Sequence, residues 1–164
     1  MTAIGRSKPF NVSALRLVAF IAAVLGAGMT IGYLNVPGQW YATLHKPSFN
    51  PPDWIFAPVW TVLFVLIAIA GSRTWERGSL SATMILWFAQ MALNFSWSPV
   101  FFSLHMIAAA LVIVAALFVS VIAFIVLQWP RDKTSALMFV PYAFWVGFAT
   151  ILNFAVLILN PIKT

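Results

Sequence analysis

The sequence contains no cysteine and only three acidic residues, and charged residues of both signs make up 7% of its 164 positions. The absence of cysteine excludes a disulfide framework and thiol chemistry. Because a soluble domain of this size carries about 25% charged residues, the chain has too little polar surface to cover a water-facing globule. Hydrophobic residues make up 63% of the sequence, and the mean hydropathy is +0.98. The composition therefore predicts a membrane protein.

Long apolar windows recur along the chain, and each approaches the roughly 20 residues that a helix needs to cross a bilayer. They cover residues 17–34, 55–72, 80–102, 107–129 and 136–160. None shows the ten-residue alternation of a membrane β-barrel strand, and hydrocarbon admits only helices or closed barrels. We therefore expect an all-α integral membrane protein, with five transmembrane helices forming a single domain over residues 1–164.

The nine cations are distributed unevenly between the two sides of this bundle. One side holds Arg6, Lys8, Arg16, Arg73, Arg77, Arg131 and Lys133, and the other holds Lys46 and Lys163. The positive-inside rule places the amino terminus in the cytoplasm and favours the inner membrane, with an outer membrane as the alternative. Nucleic-acid binding explains this charge poorly, because the cations are scattered and flank the spans.

The connection between the first two spans, residues 35–53, is longer than the others. It contains several apolar side chains, including Trp40, Tyr41 and Phe49, which is atypical of a solvated tether. Its end reads "NPPDW", in which Asn50 is a candidate helix cap followed by two prolines suited to a helix start. We expect this segment to fold back over the bundle as a lid.

Neutral polar residues lie inside the spans, where they are costly unless they are bonded. Gln90 and Asn94 of the third span share a helix face with Trp97, and the fifth span places Tyr142 and Asn153 on one face. These residues either join helices by hydrogen bonds or line a cavity, and the two roles are compatible. By contrast, the histidines have no acidic or cysteine partner at ligand spacing, so we expect neither a metal site nor a protein-borne cofactor.

Two of the eight tryptophans, Trp60 and Trp145, fall inside their spans, where an interfacial aromatic belt does not account for them. An indole inside a bundle offers a flat face and one N–H donor, which suits a large planar ligand, although core packing is an equal alternative. Their positions along the spans place Trp60, Asn94 and Ala149 in the outer half of the bundle, on the same side as the long loop. This arrangement favours a cavity that opens outward.

Three segments in this order, "WYATLHKPSFNPPDWIFAPVWTVLF", "QMALNFSWSPVFF" and "PYAFWVGFATILNF", resemble the signature segments of the translocator protein family (TspO/MBR, the tryptophan-rich sensory proteins or peripheral-type benzodiazepine receptors). The resemblance covers the whole chain. It implies a five-helix bundle, often a homodimer, that binds porphyrins and other haem-type tetrapyrroles, sterols and benzodiazepine-type ligands.

By the same resemblance, the ligand site consists of Trp40, Tyr41, Pro51, Trp60, Phe64, Asn94, Trp97, Trp145, Ala149 and Leu152. The chain departs from the animal members at their sterol motif, because Phe154 stands in place of the motif tyrosine and the next cation is Lys163. Recognition of a sterol through that motif is therefore not expected. Small residues on the third span, Ala82, Ala89 and Ala92, are candidates for contact between two copies.

Three functions are compatible with these features. The first is a membrane receptor or sensor that binds porphyrins and regulates tetrapyrrole levels or a stress response. The second is a transporter of porphyrin or sterol, although no inverted halves and no ion-coupling acids are visible in the sequence. The third is an enzyme that degrades porphyrin in light, with Trp60 and Trp145 as electron or radical partners. The lack of titratable groups inside the spans favours the receptor.

Overall fold

The computed structural model describes residues 12–161, with side chains from residue 13 onward. The described residues form six α-helices and no strand, so the all-α prediction is confirmed. The helices are α1 (Val12–Leu34), α2 (Gln39–Thr43), α3 (Phe56–Arg77), α4 (Ala82–Ser98), α5 (Ile107–Gln128) and α6 (Lys133–Leu159). Arg6, Lys8 and Lys163, which contribute to the charge argument, lie outside the described residues.

Four stretches of the described helices are long and apolar enough to cross a membrane: Ser13–Leu34, Asp53–Arg77, Ile107–Gln128 and Lys133–Leu159. They correspond to the first, second, fourth and fifth predicted spans. The third predicted span contains α4, which has 17 residues and continues into a π-helical turn at Pro99–Ser103. The described residues thus contain four helices with the length and composition to cross a membrane, as expected of a multi-pass membrane protein.

The long helices pack side by side in a closed order that differs from their order in the chain. The pair α5–α6 has the most extensive contact, followed by α4–α5, α1–α3 and α3–α6, and a smaller α1–α4 contact closes the ring. Phe124 of α5 stacks on Phe139 of α6 with 4.0 Å between ring centroids. By contrast, Val24 and Gly28 are the only buried residues that the structure describes in α1. The core therefore lies between α3, α4, α5 and α6.

The helical turn that leads into α3 begins later in the chain than the sequence suggested. A 3₁₀ turn at Asp53–Ile55 precedes α3, and Pro52 occupies the capping position of that turn without a side-chain cap bond. Asn50 instead donates its Nδ2 hydrogen to the Pro51 carbonyl, 3.0 Å away. The predicted cap at Asn50 is therefore wrong, because the helical turn begins only at Asp53 and the Asn50 Oδ1, the atom that would cap it, accepts no hydrogen bond.

A buried carboxylate ties α3 to the start of α6. Asp132 is 3% exposed at its side chain and lies 2.9 Å from Arg73 Nη2, while Arg77 and the Ser135 hydroxyl also bond to it. Burial opposes ionisation of Asp132, but the hydrogen bonds from Arg73 and Ser135 outweigh it and hold the pKa of this carboxyl well below its usual range. Asp132 thus remains charged at neutral pH and joins these two helices.

Candidate functional site

A cavity of about 510 Å³ lies at the end of the bundle where α1 and α4 finish and α3 begins. Its walls come from α1, α3, α4, α6, the π-helical turn and the 35–53 segment, whereas α5 contributes no lining residue. The residues that line it are Gly28, Met29, Ile31, Gly32, Asn35, Pro37, Tyr41, Asp53, Phe56, Ala57, Trp60, Thr61, Phe64, Asn94, Phe95, Trp97, Ser98, Phe101, Phe102, Ala149, Leu152, Asn153 and Val156.

Seven of the ten predicted site residues line this cavity: Tyr41, Trp60, Phe64, Asn94, Trp97, Ala149 and Leu152. The rings of Trp60 and Phe64 lie one helical turn apart on α3, with centroids 5.2 Å from each other. A glycine at position 28 allows α1 to approach this wall, because a Cβ there would overlap the Phe64 ring. Aromatic rings therefore form the wall of the cavity next to α1.

Trp145 lies elsewhere. It lines an open groove on the outside of the bundle between α3 and α6, together with Pro58, Val59 and Phe144 among others. Tyr142 and Ala149 lie on the inward face of α6, whereas Trp145 lies on the side toward α3. The Trp145 and Phe56 rings pack edge to face with their centroids 5.6 Å apart. Because Phe56 lines the cavity, Trp145 stands behind the cavity wall.

Trp40 and Pro51 are likewise absent from the cavity lining. Trp40 stacks on His105 with centroids 4.1 Å apart and 18° between the rings, and it meets the edge of Phe101 at 5.8 Å. His105 has a φ of 57°, a left-handed conformation that is uncommon for a residue other than glycine. Trp40 therefore holds α2 against the turn after α4, which places its neighbour Tyr41 at the cavity.

Tyr41, which lines the cavity, is close enough to two charged side chains to feel their charge. The Tyr41 and Phe102 rings pack edge to face with their centroids 5.3 Å apart. The Lys46 Nζ lies 4.4 Å above the centroid of the Tyr41 ring. Burial raises the pKa of the Tyr41 phenol, and the negative charge of Asp53 raises it further. Asp53 itself lines the cavity, although it is not among the ten site residues expected from the sequence.

The 35–53 segment is also attached to the end of α6. The Asn160 Oδ1 accepts a hydrogen bond from the His45 backbone N–H at 2.9 Å, and the Asn160 Nδ2 donates to the His45 carbonyl at 2.9 Å. This reciprocal pair joins residues 115 positions apart. Together with the Trp40 stack, it holds the segment at both ends of α2.

The amides in the spans are hydrogen-bonded between helices. Asn94 Nδ2 donates to the Tyr142 hydroxyl at 2.8 Å, and Tyr142 donates to Gln90 Oε1 at 2.9 Å. Trp97 Nε1 donates to Asn153 Oδ1 at 3.0 Å, and Asn153 Nδ2 donates to the Ile107 carbonyl at 3.1 Å. Since Asn94 and Asn153 also line the cavity, they combine the two roles that the sequence left open.

Within residues 12–161, no three His, Cys, Asp or Glu side chains come together in a way that could hold a metal ion. The His105 ring stacks on Trp40, and His45 bonds to Asn160 through its backbone N–H and carbonyl. Phe154, which stands in place of the sterol-motif tyrosine, is 52% exposed on α6 and does not line the cavity. The cavity is thus built from aromatic rings, aliphatic side chains and neutral amides, with Asp53 at its edge.

Comparison with known proteins agrees with this architecture. Residues 18–159 match the TspO/MBR family. The chain is 41% identical over 148 residues to Protein CrtK of Rhodobacter capsulatus, covering 88% of this chain and 91% of the relative. It is 36% identical over 150 residues to the tryptophan-rich sensory protein of Cereibacter sphaeroides, covering 92% and 94%. It is 32% identical over 137 residues to the human translocator protein, covering 79% and 81%. The chain therefore belongs to the TspO/MBR family.

Proposed function

We propose that this protein is a membrane receptor or sensor that binds tetrapyrroles such as porphyrins in the cavity between α1, α3, α4 and α6. The observation that carries the proposal is the aromatic cavity of about 510 Å³, a volume within the roughly 300 to 1,000 Å³ of ligand sites in proteins. The relative from Cereibacter sphaeroides is named a sensory protein. A sensor needs only a ligand site and a responsive segment beside it.

The bonding pattern of the cavity supports an apolar planar ligand. The Trp97 indole N–H is occupied by Asn153, and one of the two Asn94 amide hydrogens is occupied by Tyr142. Few donors therefore remain for a polar ligand, whereas the faces of Trp60 and Phe64 offer aromatic contact. The same chemistry accommodates benzodiazepine-type ligands, and a sterol is a weaker candidate since Phe154 replaces the motif tyrosine.

The proposal includes a five-span topology. In this topology the remaining crossing, the third along the chain, consists of α4 and the π-helical turn that follows it, residues 82–103 together. The described cations at one end of the bundle include Arg73, Arg77 and Arg131, against Lys46 at the other, so we orient the amino terminus to the cytoplasm of an inner membrane. The 35–53 segment then forms a lid on the outer side.

A homodimer is part of the same proposal. Ala82, Ala89 and Ala92 are exposed on α4 together with Ile85 and Phe88. Small exposed residues allow two helices to approach closely in lipid. Substituting Ala89 with Trp is expected to shift the detergent-solubilised protein toward monomer in light-scattering measurements, and an unchanged mass excludes this face as the interface.

The test of the receptor function is a titration of the detergent-purified protein with protoporphyrin IX, followed by quenching of tryptophan fluorescence. Ala149→Leu fills the cavity and is expected to weaken binding about tenfold or more. Ala108→Leu makes the same change at an exposed position of α5 and is expected to leave binding unchanged. Equal affinities of both variants and wild type would place the ligand outside this cavity and overturn the proposal.

The two tryptophans give a second, independent measurement. Trp60 lines the cavity and Trp145 lies in the outer groove, so Trp60→Phe should weaken porphyrin binding more than Trp145→Phe does. The reverse order would move the ligand to the outer groove. Circular dichroism of both variants shows whether the helical fold is retained.

Transport and degradation remain the competing functions. Transport requires access from both sides, whereas every residue that lines the cavity belongs to one half of the bundle. Porphyrin uptake into proteoliposomes, with and without an ion gradient, separates a transporter from a receptor. Light-dependent degradation through paired tryptophans predicts that product formation is lost in both Trp60→Phe and Trp145→Phe, whereas a receptor forms no product.

A further inference from the structure

We infer that Asp53 determines the charge preference of the cavity, which favours wide apolar ligands with an uncharged or cationic polar end over ligands that end in free carboxylates. This inference rests on the proposed function, because it concerns the ligand of the same cavity. It assigns a specificity role to a residue whose sequence position indicates only a helix start.

Among the residues that the structure describes, Asp53 is the only acidic or basic one that lines the cavity. The other polar lining residues, such as Asn35, Thr61 and Ser98, carry amides or hydroxyls. A single charge at the edge of an apolar cavity acts over a longer distance than the same charge in water, because the surrounding dielectric constant is lower. Asp53 therefore contributes most of the formal charge that a ligand in the cavity meets.

The surroundings of Asp53 would attract a carboxylate if the acid were absent. Asp53 begins the 3₁₀ turn that leads into α3, so the unpaired N–H groups at the start of this helical stretch present a partial positive charge. The Lys46 Nζ stands 4.4 Å over the ring of Tyr41, which lines the cavity. These two sources of positive potential are the kind that bind anionic groups elsewhere.

The charge of Asp53 offsets both sources. Its electrostatic influence reaches the cavity wall, since it adds to the effect of burial in raising the pKa of the Tyr41 phenol. Because Asp53 is exposed, part of its field is screened by solvent, and its effect on a ligand is moderate. A ligand with an ionised carboxylate at this edge is repelled by Asp53, whereas an ester or an amine is not.

The ligand class that follows is a tetrapyrrole or similar wide ring whose peripheral acids are esterified, or one whose polar end is an amine. The probes for a test are protoporphyrin IX, with two free carboxylic acids, and its dimethyl ester, which has the same ring and no charge. Binding of both is measured by tryptophan quenching in detergent at pH 7.5. The decisive variant is Asp53→Asn, which keeps the side-chain shape and removes the charge.

Asp53→Asn is expected to tighten binding of the diacid about threefold to tenfold and to leave binding of the dimethyl ester within about twofold of wild type. The gain should diminish as the salt concentration rises from about 0.05 M to 0.5 M, because salt screens exposed charges. Adding Lys46→Met to Asp53→Asn should reverse part of the gain, since the lysine is then the main attraction for the carboxylate.

Glu76→Gln serves as the matched control, because it changes the net charge equally at the opposite end of α3, where Glu76 is 59% exposed at its side chain. It should leave the affinity for both probes unchanged. If Asp53→Asn leaves diacid binding unchanged, or alters both probes equally, the inference is wrong while the receptor function stands. If neither probe binds to wild type or to Asp53→Asn, the proposed function and this inference both fail.

Discussion

Tyr142 of α6 and Asn94 of α4 are joined by a 2.8 Å hydrogen bond that lies immediately behind the cavity. The same hydroxyl donates to Gln90, so a single oxygen connects two amides of α4 to α6. Tyr142 and Gln90 are fully buried, and Asn94 is 8% exposed. In hydrocarbon such groups have no water to replace a lost partner, which makes this bridge both a structural joint and a support for the cavity wall.

Removal of the bridging oxygen tests this joint. Tyr142→Phe leaves both amides without their partner and is expected to lower the free energy of unfolding by about 1 to 2 kcal/mol. Thermal unfolding in detergent measures the loss. Tyr33→Phe removes a hydroxyl from a residue that is 81% exposed and should have no measurable effect. If the two variants unfold alike, the bridge does not contribute to stability.

Gly28 controls how closely α1 approaches α3. Gly28→Ala would force the Phe64 ring away from its position, and since this ring lines the cavity, ligand affinity should decrease by about threefold or more. Gly26→Ala is the control, because a Cβ at Gly26 meets no other atom within 4 Å and this residue does not line the cavity. The control should retain wild-type affinity and gain slightly in helix stability. Fluorescence titration measures affinity, and equal affinities would show that the ring position is unimportant.

Asn160 anchors the 35–53 segment through both of its bonds to His45. Asn160→Ala should increase hydrogen–deuterium exchange in α2 and the residues after it and should speed ligand dissociation, because the segment opens more often. Ser120→Ala is a suitable control, since the Ser120 hydroxyl bonds only to Ala116 one turn earlier on α5. Unchanged exchange near His45 in Asn160→Ala would indicate that the Trp40 stack alone holds the segment.

Asp132 is expected to make stability depend on pH at the acidic end. Its pKa is lower in the folded protein than the usual value of about 3.9, so its contribution is complete above about pH 4 and is lost as the pH falls further. Asp132→Asn should lower the free energy of unfolding by about 1 to 3 kcal/mol at pH 7. It should also flatten the dependence of stability on pH below about pH 4. Thermal unfolding over this range measures both effects, and an unaltered slope in the variant contradicts the assignment.

Much of the fold followed from the apolar windows, because a helix is the simplest way to satisfy backbone groups in hydrocarbon. The predicted window at 107–129 corresponds closely to α5, and the window at 17–34 ends with α1 at Leu34 but begins five residues after Val12. The predicted start at residue 80 is two residues early, because α4 begins at Ala82, where the Ser81 hydroxyl accepts a hydrogen bond from the Met84 N–H. Periodicity locates a helix, whereas its ends depend on particular capping bonds.

The cavity residues likewise include some that the sequence predicts and others that it does not. Side chains such as Trp60, Asn94 and Ala149 are recognisable in the sequence because polar or bulky residues in an apolar span call for an explanation, and their depth in the spans is a matter of counting. Trp145 shows the limit of that reasoning. Its depth is correct for the cavity, but the rotation of α6 against α3 places it in the outer groove.

The amino-acid sequence alone determined that this chain is helical and suited to a membrane and that Trp60, Asn94 and Ala149 lie at similar depth, because these properties depend on composition and on distance along each span. Only the tertiary structure decided which helices become neighbours and which side chains face the cavity. Contacts between distant residues, such as Asn160 with His45 and Trp40 with His105, depend on helix rotation and packing order. Neither of these is encoded in any local pattern of residues.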